Sequence, residues 1–206
     1  MVASGQAIPQ NEPLKYLALG DSYTIGESVA EHQRWPVQLV AALASKGLQY
    51  FQPTIIAATG WRTDDLKNAV ESAKPSKNFD LVSLLIGVNN QYQGKSPTEY
   101  AVEFEELLEV AIQLAHHEKS KVIVLSIPDY GFTPFGKIGQ DKISWEIDHF
   151  NAINRSISEK KEVKYVDITD ISRMGLSDTE LVADDGLHPS GKMYGLWAAR
   201  IVKELF

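Results

Sequence analysis

Four short stretches of this chain carry side chains able to do covalent chemistry together. Gly20-Asp21-Ser22 follows the apolar run Tyr16 to Leu19, and Gly60 stands in Thr59-Gly60-Trp61 after the run Thr54 to Ala58. Gly87-Val88-Asn89-Asn90 follows Leu81 to Ile86, and Asp184-Asp185-Gly186-Leu187-His188-Pro189 lies near the far end. A serine hydroxyl is a weak nucleophile and needs a base within hydrogen-bond reach. His188 is the candidate base for Ser22. Asp185, three residues earlier, can accept the imidazole Nδ1 proton in a tight loop and leave Nε2 to face the serine. The anion formed on attack needs donors, and the backbone N–H groups of Ser22 and Gly60 and the side-chain amide of Asn89 are available. Gly60 suits that role because without a Cβ it lets a substrate approach its amide. Asp184 competes with Asp185 for the histidine; the spacing favours Asp185 and leaves Asp184 as a helix-facing or solvated charge.

Each of these residues also has a plainer role. Asp21 or Ser22 could cap a helix, Gly60 and Asp185-Gly186 could be turns, Asn89 a satisfied loop amide and His188 a surface side chain. What favours chemistry is the order: Ser22, Gly60 and Asn89 each come directly after a strand-like run. His116 and His117 sit at an expected helix end, where a cation complements the dipole, and read as structural. His32 and His149 belong to no motif. Tyr130, Phe132 and Phe135, with Trp61 and Tyr92, fit ordinary packing or the wall of an apolar acyl pocket, and the sequence leaves both open.

The elements that must position these residues alternate. Strands are expected at Lys15–Leu19, Thr54–Ala58, Leu81–Ile86, Lys121–Ser126 and Val163–Val166. The third is the most apolar, as the centre of a parallel sheet requires. Helical spacing runs from Trp35 to Lys46 with Gly47 as a stop, and from Thr63 to about Ala73. A capping box at Ser96-Pro97-Thr98-Glu99 opens a helix to roughly Glu118. Further helices are expected from about Ser144 to Lys160 and from Ser190 to Phe206. The segment Ile127 to Lys142 is a long loop of the kind that walls a substrate site. This alternation predicts an α/β fold, a three-layer α/β/α arrangement of flavodoxin-like type around a parallel sheet of about five strands. Ligands in such folds bind beyond the carboxyl ends of the strands, where Ser22, Gly60 and Asn89 all fall. Residues 14–206 are expected to form one domain behind a flexible tail, residues 1–13.

The four blocks together resemble the SGNH (GDSL-like) hydrolase superfamily: Gly20-Asp21-Ser22 after the first strand, Gly60 after the second, Gly87-Val88-Asn89 after the third and Asp185-x-x-His188 before the last helix. The resemblance spans the chain from Lys15 onward. It implies hydrolysis of acyl esters through an acyl-serine, without metal or organic cofactor. It implies Ser22 as nucleophile and first oxyanion donor, Gly60 and Asn89 as further donors, and Asp185 with His188 completing the triad. Two positions depart from the pattern. Tyr23 replaces the usual leucine after the serine, which alters the pocket wall, and Asn90 replaces the usual aspartate, which removes a charge beside the site.

Composition narrows the partners. With 20 basic and 27 acidic residues the net charge of -7 argues against a nucleic-acid surface or a strongly anionic membrane. The absence of cysteine excludes disulfides, a thiol nucleophile and a Cys-ligated zinc. No apolar run is long enough to span a bilayer. Met1 to Pro13 lacks the basic start and apolar stretch of a signal peptide. The chain is thus expected to be soluble, either cytoplasmic or exported with its signal removed. A small-molecule acyl ester is the expected partner, with short acyl groups and longer fatty acyl esters or thioesters both open; oligomeric state has no signature here. The competing function is a flavodoxin-like ligand-binding module, or a non-catalytic interaction module on the same fold. Against phosphate binding stand the missing Gly-rich loop after the first strand and the acidic Asp21 in its place.

Overall fold

Strand burial decides where each segment sits in the sheet. The computed structural model describes residues 12–206, so most of the expected tail, residues 1–11, lies outside the described residues. β1 (Tyr16–Gly20) is buried along its whole length, whereas β2 (Thr54–Ala57) is exposed at its start. β3 (Leu81–Leu85) and β4 (Val122–Leu125) are again fully buried, and β5 (Lys164–Val166) is only partly so. The pattern matches the order β2-β1-β3-β4-β5, all parallel, with the two less apolar strands at the edges. The structure therefore has the five-stranded parallel sheet and flanking helices of a three-layer α/β/α fold.

The first connections run through α1 (Ser22–Ile25) and α2 (Trp35–Ala44), then α3 (Thr63–Ala73). They continue through α4 (Val88–Tyr92), α5 (Pro97–Leu114), α6 (Gln140–Lys160), α7 (Thr169–Ser172) and α8 (Gly191–Leu205). α2 packs against α8, while α5 packs against α3 and α6. These two groups are what right-handed crossovers produce when the chain first steps outward to β2 and then turns back to β3. Trp35, Leu39 and Leu43 of α2 and Trp197 and Ile201 of α8 are buried, each such side chain contributing about 1.5–3 kcal/mol by leaving water.

That reversal between β2 and β3 creates the topological switch point of the sheet. Register fixes its level: Gly20 lies opposite Ala57 on one side and Leu85 on the other. The segments leaving β1, β2 and β3 therefore emerge side by side. Several boundaries differ from expectation. α5 stops at Leu114 rather than near Glu118, because His116 and His117 take left-handed conformations with φ of 57° and 62°. α6 begins at Gln140, before Ser144, and the expected loop ahead of it contains the short 3-10 turns Tyr130–Phe132 and Lys137–Gly139. α1, α4 and α7 have four or five residues each, too few to show a helical period.

Candidate active site

Ser22 opens α1 directly beyond β1, and Asp21 caps that helix by accepting the Tyr23 N–H at 3.1 Å. Asp21 is 1% exposed, and its Oδ2 finds no hydrogen-bond partner among the described residues. Burial pushes the Asp21 carboxyl up to about 7, against the opposing pull of the Tyr23 N–H. Tyr23, the departure from leucine, lies buried with its ring edge-on to His188 at 5.8 Å. It thus brings the imidazole against the helix that carries Ser22. Burial, and then the Asp21 charge, hold its phenol well above the ordinary value.

Gly60 has φ of 81°, a left-handed conformation that glycine adopts without strain, and apart from Gly60 and its two chain neighbours no described residue comes within 4 Å of where a Cβ would sit. Asn89 is the second residue of α4, whose N-cap Gly87 has φ of 129°. The Asn89 Nδ2 donates one hydrogen to the Trp61 carbonyl at 3.0 Å, and an amide nitrogen carries two. Asp185 and His188 share a pinched loop closed by the Ala183 N–H on the His188 carbonyl at 2.8 Å. The Asp185 Oδ1 accepts the N–H groups of Leu187 and His188 at 2.8 and 2.9 Å. Its Oδ2 lies 2.6 Å from His188 Nδ1 and also accepts the Ser28 hydroxyl at 2.5 Å. Partial burial pulls the Asp185 carboxyl upward, but the Ser28 hydroxyl, the two N–H groups and His188 outweigh it and hold it well below the usual carboxylate range. Asp184 is exposed, as the sequence suggested.

Ser22, Gly60, Asn89 and His188 border one cleft of about 310 Å³, with Asp185 behind the histidine. Its apolar wall is Val88, Tyr92, Tyr130, Phe135 and Leu187. Of the five aromatic residues singled out in the sequence, Tyr92, Tyr130 and Phe135 face the cleft. Phe132 instead lies beneath the Arg173 guanidinium, and Trp61 packs against the core. Among the described residues, no group of three or more His, Asp or Glu side chains is placed to hold a metal ion, and no helix is long and apolar enough to cross a membrane.

Sequence reasoning missed two supports. Ser28, 157 positions from Asp185 along the chain, reaches the carboxylate from a left-handed conformation with φ of 64°. Its neighbour Glu27 accepts the Thr59 hydroxyl and so ties the same turn to the residue before Gly60. A serine outside any motif gives no signal of such a contact. The other support is Asn90, which is buried and accepts the Thr63 N–H at 3.1 Å while donating to the Thr63 hydroxyl at 2.6 Å. An ionised aspartate in its place could accept but not donate.

Comparison with known proteins bears on what this arrangement does. No curated protein sequence matches the chain. A lipolytic protein of the G-D-S-L family from Veillonella parvula shares the fold at a TM-score of 0.71 and 18% identity, over 92% of this chain and 96% of that one. A lipase/acylhydrolase from Enterococcus faecalis superposes with TM-score 0.67 at 21% identity, covering 93% of this chain and 95% of that one. An acetylxylan esterase from Geobacillus stearothermophilus gives 0.68 at 20% identity, over 93% and 94%. The model of the GDSL-like lipase/acylhydrolase family matches residues 18–196, a span that contains all four motif blocks. The chain belongs to the GDSL-like lipase/acylhydrolase family and is a carboxylic ester hydrolase.

Proposed function

We propose that Ser22 is the nucleophile of this ester hydrolase, His188 its general base and acid, and Asp185 the carboxylate that fixes the imidazole. In the first half-reaction Ser22 Oγ attacks the ester carbonyl carbon and its proton passes to His188 Nε2. The carbonyl oxygen becomes anionic and is held by the backbone N–H groups of Ser22 and Gly60 and by the second hydrogen of the Asn89 amide. Collapse breaks the bond to the alkoxy oxygen, which leaves with the proton from His188. Water then repeats the sequence on the acyl-serine and releases the acid. The Asp185 carboxylate accepts a hydrogen bond from the Nδ1–H throughout and stabilises the imidazolium.

The observation that carries this reading is the shared cleft: Ser22, Gly60, Asn89 and His188 come from four separate segments and border one space, with Asp185 2.6 Å behind the imidazole. The aromatic wall of Tyr92, Tyr130 and Phe135 suits an apolar acyl or alcohol part of the ester. A fluorophosphonate should phosphonylate Ser22, located by peptide mass spectrometry. Ser22→Ala should abolish both labelling and hydrolysis of a nitrophenyl ester series from acetate to palmitate. Asp185→Asn should lower kcat far more than Asp184→Asn, because only the former orients the tautomer. An adduct on another serine, or an active Ser22→Ala enzyme, overturns the assignment. A folded protein that neither reacts with the probe nor cleaves any ester would return the binding-module reading.

A further inference from the structure

Asn90 belongs to a directed chain of hydrogen bonds. Its amide nitrogen donates to Thr63 Oγ1, and the Thr63 hydroxyl donates in turn to the Glu103 carboxylate on α5. Thr63 and Asn90 are 0% and 1% exposed. The Thr63 N–H closes the ring by donating to Asn90 Oδ1 at 3.1 Å. A hydroxyl has one proton to give, so this chain runs in one sense, from α4 through α3 to α5.

The relay stands between the two outer proposed oxyanion donors. Asn90 adjoins Asn89, and Thr63 opens the helix three residues after Gly60. The neighbouring contacts fasten the same two pieces together. Asn89 Nδ2 donates to the Trp61 carbonyl at 3.0 Å, and Gln93 Nε2 donates to the Gly60 carbonyl at 3.3 Å. Arg62 Nη1 donates to Gln93 Oε1 at 2.7 Å. Four consecutive residues, Gly60 to Arg62 of the β2–α3 loop and Thr63 at the start of α3, are thus pinned to α4 and its C-cap, but only the Thr63 contact is fully buried and continues into a third helix. Buried polar links of this kind hold geometry because breaking one strands its partners without water.

We infer that the Asn90–Thr63–Glu103 relay positions the Gly60 and Asn89 donors relative to each other, and that its donor direction is the property this chain depends on. The inference rests on the proposed oxyanion roles of those two residues. An aspartate at position 90 is compatible with the Thr63 N–H but cannot donate to the Thr63 hydroxyl. That aspartate and Glu103 would then both claim one proton, and two carboxylates facing one hydroxyl repel. Converting Glu103 to glutamine removes that conflict. The glutamine amide donates to Thr63 Oγ1, and the hydroxyl turns to donate to the aspartate. The same three positions then form the relay with its sense reversed, and the net charge of the parent is kept.

The test is a double-mutant cycle with steady-state kinetics and melting curves. Asn90→Asp should lower kcat by about tenfold to a hundredfold with KM nearly unchanged, the sign of a misplaced transition-state donor. Glu103→Gln alone should stay within about threefold of the parent, since the glutamine carbonyl still accepts from Thr63. The double variant, Asn90→Asp with Glu103→Gln, should recover kcat to within about threefold and recover the parent melting temperature. If Asn90→Asp does not fold, a folded and active double variant supports the relay equally well. An Asn90→Asp enzyme as active as the parent overturns the inference, as does a double variant no better than the single one, folded or not. Ser22→Ala and Asn89→Ala measured alongside separate the two failures. Activity surviving in Ser22→Ala, or an unchanged kcat in Asn89→Ala, removes the proposed function, whereas loss in both together with an unaffected Asn90→Asp enzyme removes only the relay.

Discussion

At the scale of single residues, the carboxyl group beside the proposed nucleophile is strongly perturbed by its surroundings. Asp21 sits near 7 in the fold, against about 3.9 for a free aspartate. The folded state therefore holds a proton that the unfolded chain has released across that interval. Its stabilising share is full below about pH 4 and is lost as pH rises through 7. Asp21→Asn keeps an acceptor for the Tyr23 N–H and removes the titration. The melting temperature of that variant relative to the parent should climb between about pH 5 and pH 8, with the variant ahead at the alkaline end. A difference that stays constant across that range would show that Asp21 does not titrate there. Asp185 acts in the opposite sense: its depressed value makes a contribution present above about pH 4 and lost only in stronger acid, outside the window of that comparison. The candidates Ser22, Gly60, Asn89, Asp185 and His188 were legible in the sequence because each belongs to a motif block set against a patterned run. Ser28 and Glu103 were not, because a hydroxyl or carboxylate that acts across 157 or 40 positions leaves no local trace.

At the scale of elements, the five strands were readable because buried parallel strands are short apolar runs bounded by turn residues. The short helices were not, yet α4 and its C-cap carry Asn89, Asn90 and Gln93, bonded to Trp61, Thr63 and Gly60 where the β2–α3 connection runs into the first turn of α3. The seat of α4 is set by Gly87, where an added Cβ would fall 2.7 Å from the Tyr100 ring and 2.8 Å from the Ile127 side chain. The φ of 129° is a conformation that other residues adopt only under strain. Gly87→Ala should cost about 2–5 kcal/mol, from strain and overpacking together, and lower the melting temperature by about 5–15 °C. It should also depress kcat beyond what Asn90 substitutions do, because it moves the whole helix. Calorimetry showing a loss under about 1 kcal/mol would mean that α4 is not seated on Tyr100 and Ile127. The early end of α5 escaped the sequence for a related reason. Apolar spacing continues through Ala115, but the chain turns left-handed at His116 and His117, with the His117 N–H closing back on the Ile112 carbonyl at 2.9 Å.

At the scale of the whole molecule, the sheet order has a consequence of its own. β2, β1 and β3 are contiguous and all precede His116, while β4 and β5 are contiguous and all follow it. Ser22, Gly60 and Asn89 lie in the first portion and Asp185 and His188 in the second. The boundary in the sheet is one ladder, Val82 to Leu84 against Val122 to Val124, flanked by the packing of α5 on α6 and of α2 on α8. The boundary in sequence is an exposed turn. Fragments 1–117 and 118–206 should each be inert and expose the apolar face that the other covers. Produced together they should reassemble and cleave a nitrophenyl ester, and fragments that never regain activity would show that closure of the sheet needs the covalent link at His117. Ester turnover would then serve as a reporter of complementation: one piece brings the proposed cradle for the electrophile, the other the proposed proton carrier, and neither should be an enzyme until the two halves meet.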